Sequence, residues 1–312
     1  MESECQVRIF FSAAQRASFK NVLQPCSKYL DLVSLLLPVK GDGDVLTADR
    51  LIISQYTGSR DTHWRISVKC TVEVKSDHTL PTKGNDDEYV HMILDSVELC
   101  GILQITACPF LVLKSYNGAS IKASLYRCLD GDAVVVYDLQ LKDTESCDTL
   151  IGVILEDELN PLVVHCEIPP NYFSLIFDKR DSEYIRFVAC SDENSLVVHI
   201  ITSKKGHDQQ VWARYGSKTS TVGGLTTLSN RLEDLPAKLK RNPKHMDTSK
   251  TADVDSLYDF ETVTRVLRDL HASSNAVRLS LTKGEWMRMR IEHGDDCMSF
   301  VEVVFAKKLP DD

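Results

Sequence analysis

The residue types that most often perform catalysis, such as histidine, cysteine and nucleophilic serine, are scattered along this chain of 312 residues. It contains no phosphate-cradling glycine loop, no Gly-x-Ser-x-Gly elbow and no His-Glu-x-x-His sequence. The glycine-rich segment 41–44 has the composition of a turn, and His91, His165 and His199 lie in strand-like patterns. The sequence therefore predicts a protein that is not an enzyme and that needs no cofactor.

The ten cysteines are spread from Cys5 to Cys297, and most lie among apolar residues. No Cys-x-x-Cys pair occurs, and His165 beside Cys166 has no second pair at a metal-ligand spacing. This pattern indicates reduced core cysteines and predicts no metal site. The longest apolar stretch is far shorter than the roughly 20 residues that span a bilayer, so no membrane partner is expected.

The charge is distributed unevenly. The formal net charge is −9, yet residues 204–250 contain ten Lys or Arg and only four Asp or Glu. The centre of this segment is either a nuclear-import signal or DNA tether, or a plain solvated loop; its basic residues are Lys238, Lys240, Arg241 and Lys244. Because the N-terminal residues also lack the features of a secretory signal, a nuclear and cytoplasmic location is expected.

A repeated order of elements organises the chain. A short helical stretch followed by three strand-like stretches recurs over 95–141, 170–215 and 259–306, which are 47, 46 and 48 residues long. Turn dipeptides such as Asp130-Gly131 separate the strands. A looser copy opens the chain. Such repetition indicates a modular fold with two βαβββ units in each half.

The repeat predicts an α+β protein with two domains. The first covers residues 1–141, a connector covers 142–160, and the second covers 161–312. Residues 216–253 are rich in Ser, Thr, Lys and Arg and lack periodicity, so they are predicted to form a flexible basic loop, either functional or disordered.

This organisation resembles the DNA sliding clamps, such as proliferating cell nuclear antigen, over nearly the whole chain. The resemblance is carried by the equal spacing of the units and by three segments, which are Tyr-Val-His-Met-Ile-Leu-Asp-Ser at 89–96, Phe-Val-Glu-Val-Val-Phe at 300–305 and the acidic end at 311–312. It implies the sliding-clamp fold, with helices on one face of antiparallel sheets. It also implies a closed ring of three chains whose helices line a channel around duplex DNA.

The resemblance places basic residues of the helices against the DNA backbone, without sequence readout. The apolar side of each helix is expected to face the sheet and the basic side to face the channel. The second helix has Asp95 and Glu98 and no base. The candidate DNA contacts are Arg16, Lys20, Lys28, Lys179, Arg180, Arg265 and Arg268.

The resemblance also gives the connector a role in capturing short motifs of client proteins, although its apolar residues are equally consistent with one buried strand. These residues are Leu150, Ile151, Val153, Ile154 and Leu155. The expected partners are two other clamp subunits, duplex DNA, a clamp loader, and client repair or signalling proteins.

Among clamps, the long loop, the widened first unit, Trp64 and Trp212 resemble the heterotrimeric DNA-damage checkpoint clamp. The stretch 134–141 resembles its Hus-type subunit more than its Rad-type subunit, although the closing Phe-Val-Glu resembles the Rad-type almost as well. Two alternatives remain open. One is a replicative or viral-type processivity clamp, and the other is a β-rich interaction scaffold that does not encircle DNA.

Overall fold

The computed structural model describes most of the chain, in ranges separated by gaps. These ranges are 6–40, 44–57, 62–75, 88–116, 120–142, 162–168, 182–191, 195–204, 207–222, 225–228, 254–271, 276–282, 286–293 and 298–306. The chain divides into two compact units, of which the first comprises 1–57, 63–157 and 293–301 and the second comprises 58–62, 158–292 and 302–312.

The elements of the first unit follow the predicted order, with one strand, one helix and three strands, twice over. The helices are α1 (Ala13–Cys26) and α2 (Ser96–Leu103). The strands are β1 (Val7–Phe11), β2 (Leu32–Val39), β3 (Val45–Thr57), β4 (Thr62–Lys75), β5 (Glu88–Asp95), β6 (Phe110–Ser115), β7 (Ser120–Tyr126) and β8 (Val135–Gln140).

The remaining elements carry one described helix, α3 (Phe260–His271). The strands are β9 (Leu162–Ile168), β10 (Tyr184–Ser191), β11 (Ser195–Lys204), β12 (His207–Val222), β13 (Leu225–Leu228), β14 (Val254–Asp259), β15 (Ala276–Thr282), β16 (Trp286–His293) and β17 (Ser299–Ala306). The helix predicted at the start of the repeat 170–215 lies outside the described residues.

Strands are exchanged between neighbouring repeats in the same way in both units. In the first unit, the opening strand of each repeat pairs with the second strand of the other, so that β1 pairs with β6 and β5 pairs with β2. In the second unit, β9 pairs with β15 and β14 pairs with β10. All four pairings are antiparallel. Each repeat therefore needs its neighbour to complete its sheet, which explains why the repeats occur in pairs.

The repeat is also visible in the helix starts. Asp95 ends β5 and accepts hydrogen bonds from the backbone N–H groups of Val97 and Glu98 at 2.8 and 3.0 Å. Asp259 ends β14 and accepts one from the N–H of Thr262 at 2.8 Å. A short polar side chain in this position satisfies N–H groups that the first helical turn leaves unpaired.

A second backbone contact ties each helix start to the strand beside it. The N–H of Ser96 donates to the carbonyl of Asp31 at 3.0 Å, and the N–H of Phe260 donates to the carbonyl of Glu183 at 3.1 Å. Asp31 and Glu183 each stand immediately before the second strand of a repeat, β2 and β10. Individual backbone hydrogen bonds, as well as strand pairing, therefore join the two repeats predicted in each half.

The helices lie on one face of the antiparallel sheets, as predicted. Alternate residues of β1, among them Ile9 and Phe11, are buried, and the ring of Phe11 stacks on Phe19 of α1 with centroids 5.3 Å apart. Tyr29, just beyond α1, stacks on the buried Trp64 of β4 at 4.8 Å. Helix α1 contains Pro25 in its last turn and ends one residue later, at Cys26.

The prediction of a loop from residue 216 is wrong at its start. Strand β12 continues to Val222 and pairs antiparallel with β13, and β13 pairs in parallel with β9 at Val164 and His165. Threonine, which contributes to the loop-like composition, is β-branched and is well accommodated in strands when a partner strand is available. The rest of the predicted loop, 229–253, lies outside the described residues.

Two of the described free cysteines contrast in exposure and should differ in reactivity. Cys128 is exposed, whereas Cys70 is buried, and burial followed by the nearby charge of Asp49 raises the pKa of the Cys70 thiol to about 12. Because the thiolate is the reactive form, iodoacetamide at pH 8 should alkylate Cys128 in the native protein and spare Cys70, as measured by peptide mass spectrometry. Unfolding in urea should make the alkylation of the two cysteines equal. Equal alkylation without urea would contradict the burial of Cys70.

Candidate nucleic-acid interface

Helix α3 has the clearest separation of an apolar and a basic side. Its apolar side is buried and comprises Phe260, Val263, Val266, Leu267 and Leu270. The helix packs against β10 and β14. The hydroxyl of Thr264 is turned inward and donates to the carbonyl of Phe260 at 2.7 Å, which satisfies a buried polar group within the helix.

The opposite side of α3 presents two exposed arginines. Arg265 and Arg268 stand three residues apart, so they lie on the same side of the helix, one turn from each other. Glu261 on the same helix is exposed and Asp269 is half-buried. The long, charged arginine side chains can extend past these shorter acids, so this side can bind phosphate groups by charge-assisted hydrogen bonds.

Helix α1 keeps part of its predicted basic side. Lys20 is half-buried within the helix, and Lys28 is exposed two residues beyond the end of the helix. Its apolar residues Phe19, Val22, Leu23 and Cys26 are all buried. Helix α1 therefore offers lysine ammonium groups to a partner, but at only one position within the helix itself.

The prediction for Arg16 needs correction, because this side chain is buried, with only 4% of the residue exposed. Its guanidinium donates hydrogen bonds to the carbonyls of Ile102 and Leu103 at 3.0 and 3.4 Å, and also to the carbonyls of Ile105 and Cys108. Two of these groups belong to the last turn of α2, where carbonyls lack helical partners. Arg16 therefore joins α1 to the C-terminus of α2 and is not available to DNA.

The environment of Arg16 explains why a cation is tolerated there. Burial lowers the pKa of the guanidinium from its usual value, because charge is disfavoured away from water. The carbonyl oxygens at a helix C-terminus carry partial negative charge, which compensates a cation. The spacing of Arg16 and Lys20 did not predict which of them is buried, because both lie on the same flank of α1. The sequence signal that could have indicated burial is that Arg16 lies nearer the apolar side of the helix.

Helix α2 has no basic residue, and its solvent-facing positions are Val97, Glu98 and Gly101. Val97 is 69% exposed, and a Cβ added at Gly101 would meet nothing within 4 Å. This open, weakly acidic side is poorly suited to a phosphate backbone. The predicted lack of bases on α2 thus leaves α1 and α3 as the described helices that can attract DNA.

Several predicted site residues lie outside the described residues. These are Lys179, Arg180, the connector residues Leu150, Ile151, Val153, Ile154 and Leu155, and the basic residues Lys238, Lys240, Arg241 and Lys244. Their roles in DNA binding, client capture and import stay predictions.

The last hairpin of the first unit exposes apolar side chains that were not predicted as a site. Val136 and Tyr137 of β8 are 49% and 43% exposed, and Val134 immediately before the strand is 49% exposed. Strand β8 pairs antiparallel with β7 from Leu125↔Val135 to Ser120↔Gln140. Three large exposed apolar residues at the end of a sheet mark a surface suited to contact with another chain. The run of three valines at 134–136 is the sequence feature that could have indicated this surface.

The described residues form neither a metal site nor a membrane-spanning helix. No group of three or more His, Cys, Asp or Glu side chains is arranged to hold a metal ion within the described ranges. None of the described helices has the length and apolar character needed to cross a membrane.

Comparison with solved structures defines the class of fold. Proliferating cellular nuclear antigen from Entamoeba histolytica matches with a TM-score of 0.57 and 11% identity, over 98% of this chain and 100% of that one. The same antigen from Thermococcus kodakaraensis matches at 0.56 and 13%, over 97% and 100%. A chain of the PCNA2–PCNA3 complex from Sulfolobus tokodaii matches at 0.54 and 14%, over 96% and 99%.

The chain therefore has the sliding-clamp fold over nearly its whole length. The paired exchange of strands between repeats and the helices on one face of the sheets are the features that carry this conclusion. No protein-family profile matches the sequence, and no curated protein matches it either. The fold was thus recognisable from spacing and structure, at a level of identity where residue-by-residue similarity has largely disappeared.

Proposed function

We propose that this protein is a subunit of a ring-shaped DNA clamp that encircles duplex DNA and recruits partner proteins, without enzymatic activity of its own. The observation that carries the proposal is the exposed pair Arg265 and Arg268 on a helix whose other side is fully buried, in a chain with the sliding-clamp fold. Two arginines without a specific pocket suit contacts with the phosphate backbone, which do not depend on base sequence.

Ring assembly is proposed to use strand β8. Pairing with β7 occupies one edge of β8, and a strand from a neighbouring chain can add to the other edge while covering Val136 and Tyr137. Because a ring needs a head-to-tail contact, the neighbouring chain must contribute a different surface. The match to a chain from the PCNA2–PCNA3 complex, which joins unlike chains, supports a multi-subunit arrangement.

The finer proposal is a subunit of the heterotrimeric DNA-damage checkpoint clamp, of the Hus type, acting in the nucleus. It is supported by the insertion in the second half, whose first part extends β12 and adds β13. Two unlike clamp subunits, a loader and client repair or signalling proteins would then be its partners. A self-associating homotrimer would instead favour a processivity clamp.

Assembly and topology can be tested together. The purified protein should form a 1:1:1 complex with two unlike chains, as measured by native mass spectrometry. Once loaded on a nicked circular plasmid, the complex should be retained through gel filtration and released when the plasmid is linearised, because a ring slides off free ends. Retention on the linear form equal to that on the circle, or a stable lone monomer in the presence of candidate subunits, would contradict encirclement.

A variant at the edge of β8 distinguishes a defect in assembly from a defect in folding. Val136→Lys with Tyr137→Lys places two charges on β8, where they tolerate water but not burial against another chain. We expect at least a tenfold loss of complex formation with thermal stability nearly unchanged. The matched control, Lys40→Glu with Lys69→Glu, also changes two exposed residues of the first unit and should assemble normally. Normal assembly of the edge variant would exclude β8 from the interface.

A further inference from the structure

The face of the first sheet opposite the helices carries a row of three cations on neighbouring strands. Arg8 of β1 lies directly across from Lys114 of β6, and Lys114 lies directly across from Lys122 of β7. Arg8 and Lys122 are exposed and Lys114 is half-buried. The neighbours of Arg8 and Lys114 in their own strands, such as Ile9 and Leu113, are buried. The three charges therefore share the outer face.

This row of like charges lowers the stability of the sheet. Like charges directly opposite one another on a sheet destabilise it, and here two such pairs are adjacent. Acids stand only at the two ends of the row. Glu73 of β4 forms an ion pair with Arg8 at 3.3 Å, and Asp138 of β8 lies across from Lys122. The middle of the row stays positive, and the whole row keeps one excess positive charge.

Aromatic rings lie on the same face beside the cations. The half-buried Phe10 stands two residues from Arg8, which is about 7 Å along the strand. Its ring stacks on Phe110 with centroids 6.4 Å apart, and Tyr126 lies across from Phe110. On the other side of the row, the ring of Tyr116 lies 5.8 Å from the ammonium of Lys122.

We infer that this outer face binds single-stranded DNA, with phosphates along Arg8, Lys114 and Lys122 and bases against the neighbouring aromatic rings. Adjacent strands are about 4.8 Å apart, so the cations span about 10 Å, which suits two successive phosphates of an extended strand. Aromatic faces beside a basic track are the usual means of binding unpaired bases without regard to sequence. A base-paired duplex hides the faces of its bases and cannot use such rings.

This surface belongs to the first unit, on the sheet face opposite α1 and α2, whereas α3 belongs to the second unit. The choice of DNA over RNA rests on the proposed clamp function, whereas the binding of an unpaired strand does not. A chain that encircles a duplex through its helices would in this way hold a displaced or gapped strand on its outside.

The test is fluorescence anisotropy of labelled oligo(dT)12 with the full chain in 50 mM salt. We expect saturable binding with a slope of log affinity against log salt of about −1.4, from two phosphate contacts. Lys114→Glu with Lys122→Glu should weaken binding at least tenfold and reduce the slope to about −0.7. Phe110→Leu should weaken it about tenfold while leaving the slope unchanged, since it removes stacking and no charge.

The control is Arg265→Glu with Arg268→Glu, which makes the same change of charge on α3. It should weaken oligo(dT)12 binding far less than the lysine variant does while impairing duplex retention, so failure of the clamp proposal and failure of this one give different results. If both double variants lost oligo(dT)12 binding equally, the net charge of the chain alone would attract the oligonucleotide, and the proposed site would be wrong. Stronger binding of oligo(U)12 than of oligo(dT)12 would overturn the assignment to DNA. If a Glu-rich peptide bound and oligo(dT)12 did not, and if the lysine substitutions weakened the binding of that peptide, the surface would be a peptide-docking face.

Discussion

Replacing Arg16 with methionine should lower the free energy of unfolding of the first unit by about 3 kcal/mol, although Arg16 looks like a surface cation in the sequence. The guanidinium satisfies carbonyls of α2 and of the segment after it, including those of Ile102 and Cys108. Each buried carbonyl left without a donor costs about 1–3 kcal/mol. Urea unfolding should show a lower midpoint, and hydrogen exchange should show the largest loss of protection in residues 102–108.

Two companion variants make this prediction specific. Arg16→Lys should recover less than half of the loss, because a single ammonium cannot reach carbonyls that a planar guanidinium spans. Lys20→Met, one turn further along α1 and half-buried, should change stability by no more than about 0.5 kcal/mol. If Arg16→Met and Lys20→Met were equally mild, or if Arg16→Met impaired DNA retention in a fully stable protein, the bridging role would be wrong.

Charge reversal on α3 should have the largest effect on DNA retention. Arg265→Glu with Arg268→Glu removes two cations from the exposed side and adds two anions, beside Glu261. For a ring on duplex DNA, each lost phosphate contact reduces the slope of log affinity against log salt by about 0.9, so the slope should flatten by about 2. On linear duplex DNA, where a ring can leave by the free ends, the lifetime of the loaded ring at 100 mM salt should fall at least tenfold, as measured by single-molecule imaging.

Neutral substitutions separate the loss of attraction from added repulsion. Arg265→Gln with Arg268→Gln should flatten the salt slope by the same amount but shorten the lifetime less, because no anion is introduced. Both variants should keep their fold, since the buried residues of α3, from Phe260 to Leu270, are untouched. Unchanged retention in the reversed variant would remove α3 from the DNA interface and would favour an interaction scaffold that does not enclose DNA.

The sequence alone determined most of the described elements and their order, because local signals define them. Turn dipeptides, apolar periodicity and the capping residues Asp95 and Asp259 are all read within a few neighbouring positions. The same signals separated the buried and exposed sides of α3 correctly, including Arg265 and Arg268. The equal length of the repeats was enough to suggest the sliding-clamp fold, which the structure confirms.

Only the tertiary structure decided the features that depend on partners distant in the chain. Arg16 became a buried bridge because carbonyls some ninety residues away need its donors. Residues 216–222 and 225–228 became strands because β12 and β13 pair with each other and β13 also pairs with β9. Arg8, Lys114 and Lys122 formed one row because strand register places them side by side. Spacing along the chain gives the direction of a side chain, but what it meets there depends on which strands and helices are brought together.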